Sequence, residues 1–129
     1  MSAAGLRVVV VDDNAAVRRA LCSVLSGGGT ITVVGEAADG AAGVAQALML
    51  RPDVVVMDLR MPCLDGLEAT RCLRAAWPEA RVVLLTSLEE LDREARRAGA
   101  VDYVPKTAPP QEVRARVLRA AMARPQRRR

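Results

Sequence analysis

Residues 53–66 read DVVVMDLRMPCLDG. Four apolar side chains, Val54 to Met57, run without polar alternation into Asp58, and a loop carrying Pro62 and the pair Asp65-Gly66 follows. An apolar run of this length bounded by turn residues reads as a strand buried on both faces, as in a parallel sheet covered by helices. A carboxylate at the end of such a strand is costly unless something answers its charge.

The same pattern repeats on either side. Leu6 to Val11 is an apolar run ending at Asp12-Asp13, and Asn14 can cap a helix whose inner face is Val17, Leu21, Val24 and Leu25. Gly27-Gly28-Gly29 breaks that helix, Thr30 to Gly35 reads as a second strand, and Ala41 to Leu50 as an alanine-rich helix with Val44, Ala47 and Leu48 inward. After Asp58 the spacing predicts a helix from Leu67 to Ala76, with Leu67, Thr70, Leu73 and Trp77 on one side and Pro78 ending it. A fourth strand runs from Arg81 to Thr86 and a helix from Leu88 to Ala98, with Gly99 as its stop. A short strand from Asp102 to Val104 and a last helix carrying Val113, Val117 and Ala121 complete five βα units. Strict alternation implies a parallel sheet with right-handed crossovers and helices on both faces.

The composition bounds what such a domain does. With 129 residues, 51% hydrophobic and 26% charged, the chain has the size and core of one domain. Trp77 and Tyr103 are its only aromatics, so it has no stacking platform for single-stranded nucleic acid. The net charge of +4 comes from Arg124, Arg127, Arg128 and Arg129; residues 1–123 balance 15 basic against 15 acidic groups. The expected organisation is a domain over 1–123 and a basic tail or linker start over 124–129, with no DNA contact by the domain itself. No histidine is present, which excludes a Ser/His or Cys/His pair within the chain, and the lack of CxxC argues against zinc. Cys22, Cys63 and Cys72 are odd in number and suggest a reducing, cytoplasmic setting, with Cys22 and Cys72 packing as small apolar groups on helices. No stretch approaches the length of a membrane span or reads as a secretion signal.

Open parallel sheets place their sites outside the carboxyl ends of the strands. Those ends carry Asp12 and Asp13, Asp58, Thr86 and Ser87, and Lys106. If strands 1 and 3 are neighbours, about 4.8 Å apart, three carboxylates share one small space. Like charges about 4 Å apart repel by roughly 4 kcal/mol at an effective dielectric near 20, so a cation is required. Oxygen donors without His or Cys favour Mg²⁺. Among 19 basic residues 18 are Arg, and the one lysine stands at the end of the last strand, where a compact ammonium suits a phosphoryl oxygen. A carboxylate nucleophile, a magnesium site, an ammonium and a hydroxyl together describe phosphoryl transfer onto Asp58, admitted by the open loop from Leu59 to Asp65.

The motifs VVVVDDN, VVVMDLRMP, VVLLTS and DYVPK, in this order and spacing, resemble the receiver domain of bacterial two-component response regulators over residues 6–123. The resemblance implies a flavodoxin-like doubly wound five-stranded parallel sheet, (βα)5, in strand order 2-1-3-4-5. It implies a signalling switch rather than an enzyme, with Asp58 phosphorylated by a sensor histidine kinase. Mg²⁺ would be held by Asp13, Asp58 and the backbone carbonyl of Arg60, and by Asp12 through water. Lys106 would pair with the phosphate, Thr86 would be the switch hydroxyl and Tyr103 the aromatic switch residue. The surface formed by strand 5 and the helices flanking it would carry the output, including a possible homodimer on phosphorylation. DGLEATRCLR and KTAPPQEV look most like receivers that precede a helix-turn-helix DNA-binding domain, so DNA would be reached only through such a domain. Two positions depart from the family: Thr107 rather than proline follows Lys106, so a trans bond is expected there, and Cys63 stands where glycine is common and restricts the loop.

Three rival classes share features. A flavodoxin-like electron carrier needs a glycine- and hydroxyl-rich phosphate loop where this chain has Asp12-Asp13-Asn14. A haloacid-dehalogenase-type phosphatase needs a second carboxylate where Arg60 stands. A pseudo-receiver, binding a partner without being phosphorylated, is favoured only by Thr107.

Overall fold

The computed structural model describes residues 5–86 and 97–123. Within them the elements are β1 (Leu6–Val11), α1 (Ala15–Ser26), β2 (Ile31–Ala37), α2 (Gly40–Leu50), β3 (Val54–Asp58), α3 (Gly66–Ala76), β4 (Val82–Thr86), β5 (Asp102–Pro105) and α4 (Pro110–Ala121). All neighbouring strands are parallel, in the order β2-β1-β3-β4-β5. This is the flavodoxin-like arrangement expected. The helix expected from Leu88 to Ala98, and Ser87, fall largely outside the described residues.

Period-two alternation divides the sheet between two cores. Val9, Val11, Val55, Met57, Val82 and Leu84 pack with Ala47 of α2 and Ala69 and Leu73 of α3. Val8, Val10, Val54, Val56, Val83 and Leu85 pack with Leu21 and Leu25 of α1 and Val113 and Val117 of α4. Each fully buried valine or leucine contributes roughly 1.5–3 kcal/mol relative to exposure, so the strand runs themselves are the main stabilising asset.

Helix starts follow side-chain caps. Asn14, Asp39 and Asp65 accept hydrogen bonds from the backbone N–H groups of Val17, Ala42 and Glu68 at 3.0, 2.8 and 2.9 Å. Asp39 and Asp65 move the starts of α2 and α3 one residue earlier than their apolar spacing predicts. Gly66, the first residue of α3, lies so close to the end of β3 that a Cβ there would come within 2.5 Å of the Asp58 carbonyl oxygen. Gly99 takes φ +98, the left-handed conformation of a helix stop.

Three expectations are corrected. Val17, in the first turn of α1, is 36% exposed and belongs to neither core. Cys72 is exposed, since α3 buries the row Gly66, Ala69, Thr70, Leu73 and Arg74, which leaves Cys72 on the opposite side. A third, smaller adjustment is on α4, where Ala121 packs against the core with Val113 and Val117 as spaced, but Ala120 is the more deeply buried alanine.

Candidate functional site

The carboxyl ends of β1 and β3 lie side by side, in register Val11 to Met57, so the residues that follow them converge. Asp12, Asp13 and Asp58 each bring a carboxylate oxygen to one spot, all within 4.8 Å of one another. Lys106, just beyond β5, places Nζ 2.9 Å from Asp58 Oδ2. Its side chain is 34% exposed, while that of Asp58 is 2% exposed. The Arg60 N–H donates to Asp58 Oδ1 at 3.3 Å, which closes the turn out of β3 onto that carboxylate.

Asp12 is fully buried, and three of its polar atoms are engaged. Its N–H donates to the Ala37 carbonyl at 3.0 Å, its carbonyl accepts from Arg18 Nη1 at 2.6 Å, and its Oδ1 accepts from the Asn14 N–H at 2.9 Å. Oδ2 is buried without a hydrogen-bond partner. Burial first, and then the charges of Asp58 and Asp13, push the Asp12 carboxyl above its ordinary value against the lowering effects of the Asn14 N–H and Lys106.

Three carboxylates facing a single ammonium leave two negative charges, the donor atoms are all oxygen, and one buried oxygen lacks a partner. These residues fit a hard divalent cation of the Mg²⁺ type. The electrostatics also set a stability expectation for metal-free protein. A carboxyl whose folded value is raised destabilises the fold once ionised; the penalty is absent below the unfolded value and complete above the folded one. Asp12→Asn is therefore expected to be more stable than wild type at neutral pH, through relief of burial first and of repulsion second, by about 1–4 kcal/mol, the span between a water-screened and a partly buried charge contact. The difference should close as pH falls toward about 4, where unfolded Asp itself takes up its proton. Melting curves in chelator at both pH values check this; equal stability at neutral pH would mean that the charges are not in conflict.

Thr86 is buried at the end of β4, one residue beyond the partner of Asp58, and its carbonyl accepts from the Lys106 N–H at 2.8 Å. Tyr103 lies on β5 opposite Leu84, half-buried against the core shared by α2 and α3. The structure thus brings Asp12, Asp13, Asp58 and Lys106 together, puts Thr86 at the rim, and leaves Tyr103 two residues back along the neighbouring strand. None of the described peptide bonds is cis, in agreement with a trans Lys106-Thr107 bond. Cys63 is exposed and takes φ 72, so it occupies a left-handed backbone position where glycine is at ease. Leu59 and Met61 are buried, so the loop after Asp58 is anchored by apolar contacts rather than open throughout. Beside it Leu59, Arg60, Met61, Pro62, Asp65 and Leu67 line a surface groove of about 470 Å³. Arg18 and Asn14, which hold Asp12, were not legible as site residues; the one signal was a cation placed in the first turn of a helix.

A family model described as the response regulator receiver domain matches residues 8–118. Among curated relatives, a protein-glutamate methylesterase/protein-glutamine glutaminase of Anaeromyxobacter dehalogenans (strain 2CP-C) is 49% identical over 100 residues, 77% of this chain and 29% of that protein. The transcriptional regulatory protein LiaR of Bacillus subtilis (strain 168) is 39% identical over 118 residues, 90% of this chain and 56% of that protein. The chain thus spans only a part of each of these relatives. Among solved structures, the signal receiver domain of the response regulator NarL from Mycobacterium tuberculosis superposes with a TM-score of 0.88 at 34% identity, covering 93% of this chain and 98% of that one. The response regulator domain of Thermotoga maritima CheB gives 0.87 at 34% identity, covering 94% and 99%.

Proposed function

The chain belongs to the response regulator receiver domain family, and from that premise we propose that it is a switch whose Asp58 accepts a phosphoryl group from a sensor histidine kinase. The observation that carries the reading is the meeting of three carboxylates within 4.8 Å with the Lys106 ammonium 2.9 Å from Asp58 Oδ2. Asp58 needs no general base, because an ionised carboxylate already has the electron pair with which to attack phosphorus. As the new P–O bond forms, the P–N bond of the phosphohistidine breaks and its electron pair leaves on the imidazole nitrogen. Burial of Asp58 at a strand end fixes the angle of attack, and Gly66 allows the start of α3 to brace that end closely. Lys106 is positioned to exchange its bond with the carboxylate for one with a phosphoryl oxygen. Asp12, Asp13, Asp58 and the carbonyl of Arg60 would hold Mg²⁺, which when bound neutralises charge on the transferring phosphoryl group.

The output is controlled through the face that carries β5 and α4. Transcription is the output favoured here, through a DNA-binding domain joined to the receiver; the relatives that support it are a transcriptional regulatory protein and the NarL receiver. The free cysteines suit a reducing cytoplasm, and no helix among the described residues is long and apolar enough to cross a membrane.

Intact mass after incubation with a small acyl-phosphate donor tests the reading. The protein is expected to gain one phosphoryl group in Mg²⁺ and essentially none in chelator. Absence of labelling in Mg²⁺ would favour the pseudo-receiver, a module that binds partners without being phosphorylated.

A further inference from the structure

Arg18 stands in the first turn of α1, where unpaired N–H groups and the helix dipole already present positive charge. It also lies beside a site that must attract a cation. Both facts disfavour a guanidinium there on electrostatic grounds, so its value has to be geometric. Its contacts supply the geometry. Nη1 donates to the Asp12 carbonyl at 2.6 Å, and Nε reaches Glu36 Oε1 at 3.2 Å. One planar group thereby joins the end of β1 to the edge strand β2, whose next residue, Ala37, accepts from the Asp12 N–H. A planar fork with two donors at a fixed angle makes both bonds at once, and Glu36 offsets much of the charge that would repel a metal ion.

Resting on the reading above, we infer that Arg18 is a positioning residue of the phosphorylation site. It pins the main chain at Asp12, so that the carboxylates of Asp12 and Asp13 keep the place they share with Asp58. The residue touches neither the phosphoryl group nor the cation; it acts through the backbone of the acidic loop.

The probe is Mg²⁺ alone, titrated calorimetrically into the full chain well below its melting temperature, for wild type, Arg18→Lys and Arg18→Met. Melting curves in chelator accompany each titration. Loss of an outer support of a metal ligand typically weakens binding by 10–100-fold, and both variants are expected to lose about tenfold while remaining folded. Arg18→Lys keeps the charge and loses the fork, so its loss isolates geometry from charge. If charge alone mattered, Arg18→Lys would match wild type and Arg18→Met would bind more tightly, and either result overturns the inference. So does a fall in melting temperature with unchanged Mg²⁺ affinity, which would make Arg18 a structural residue only. A wild type that binds no Mg²⁺ would instead sink the reading of the site itself, and the role of Arg18 with it.

Discussion

Asp58→Asn is expected to take up no phosphoryl group under conditions in which wild type gains one. The amide is nearly the same shape as the carboxylate, so the buried end of β3 should survive, but the anionic oxygen that attacks phosphorus is gone. The substitution also weakens the tie to Lys106, now an ammonium facing a neutral oxygen 2.9 Å away. Because it removes one of three crowded negative charges, Asp58→Asn should be at least as stable as wild type without metal, in contrast to an ordinary buried substitution, which costs roughly 0.5–3 kcal/mol. Intact mass and a melting curve on the same sample separate the two effects. Labelling equal to wild type would move the nucleophile elsewhere, with Asp13, the exposed member of the acidic cluster, next to test.

The inner strands β1, β3 and β4 were legible because burial on both faces leaves an uninterrupted apolar run, and Val54 to Asp58 was read to the residue for that reason. The half-buried edge strand β2, by contrast, read as Thr30 to Gly35, runs Ile31–Ala37. The convergence of Asp12, Asp13, Asp58 and Lys106 was legible too, since in a parallel sheet every strand ends on the same side. Less legible were features that depend on which atom satisfies which. Asp39 and Asp65 look like loop residues until their carboxylates are seen on the Ala42 and Glu68 N–H groups. Arg18 reads as one arginine among 18, its place early in a helix the one hint, and the direction of its guanidinium shows what it holds. Val17 fits the helical period and yet belongs to neither core, because periodicity gives the side of a helix and not what packs against it.

Thr86→Ala is expected to accept phosphate on Asp58 and yet lose phosphorylation-dependent self-association or partner binding. The hydroxyl is not needed for the attack, since Asp58 and Lys106 meet without it. Its place in the sheet gives it a different part. Thr86 and Leu84 point to the same face of β4, and Tyr103 pairs with Leu84 on β5, so threonine and tyrosine lie on one face of adjacent strands. A hydroxyl drawn toward a phosphoryl oxygen at the strand ends would open space on that face, and Tyr103, half-buried on the edge strand, could turn into it. Such a coupling signals only if the two arrangements differ in affinity for phosphate and for the partner. The surface proposed to carry the output is next to the tyrosine. Arg116 of α4 holds both carboxylate oxygens of Asp102 at 2.9 and 3.0 Å and reaches the Tyr103 carbonyl at 3.4 Å, so motion of β5 is felt at α4 directly. Removing the hydroxyl should leave the phosphorylated protein in its resting arrangement, with association no stronger than in the unphosphorylated chain. Light scattering of wild type and Thr86→Ala with a stable phosphate mimic measures this. Association by Thr86→Ala at wild-type strength would mean that the signal leaves Asp58 by a route that bypasses β4, and Tyr103 would then be a packing residue of the sheet edge.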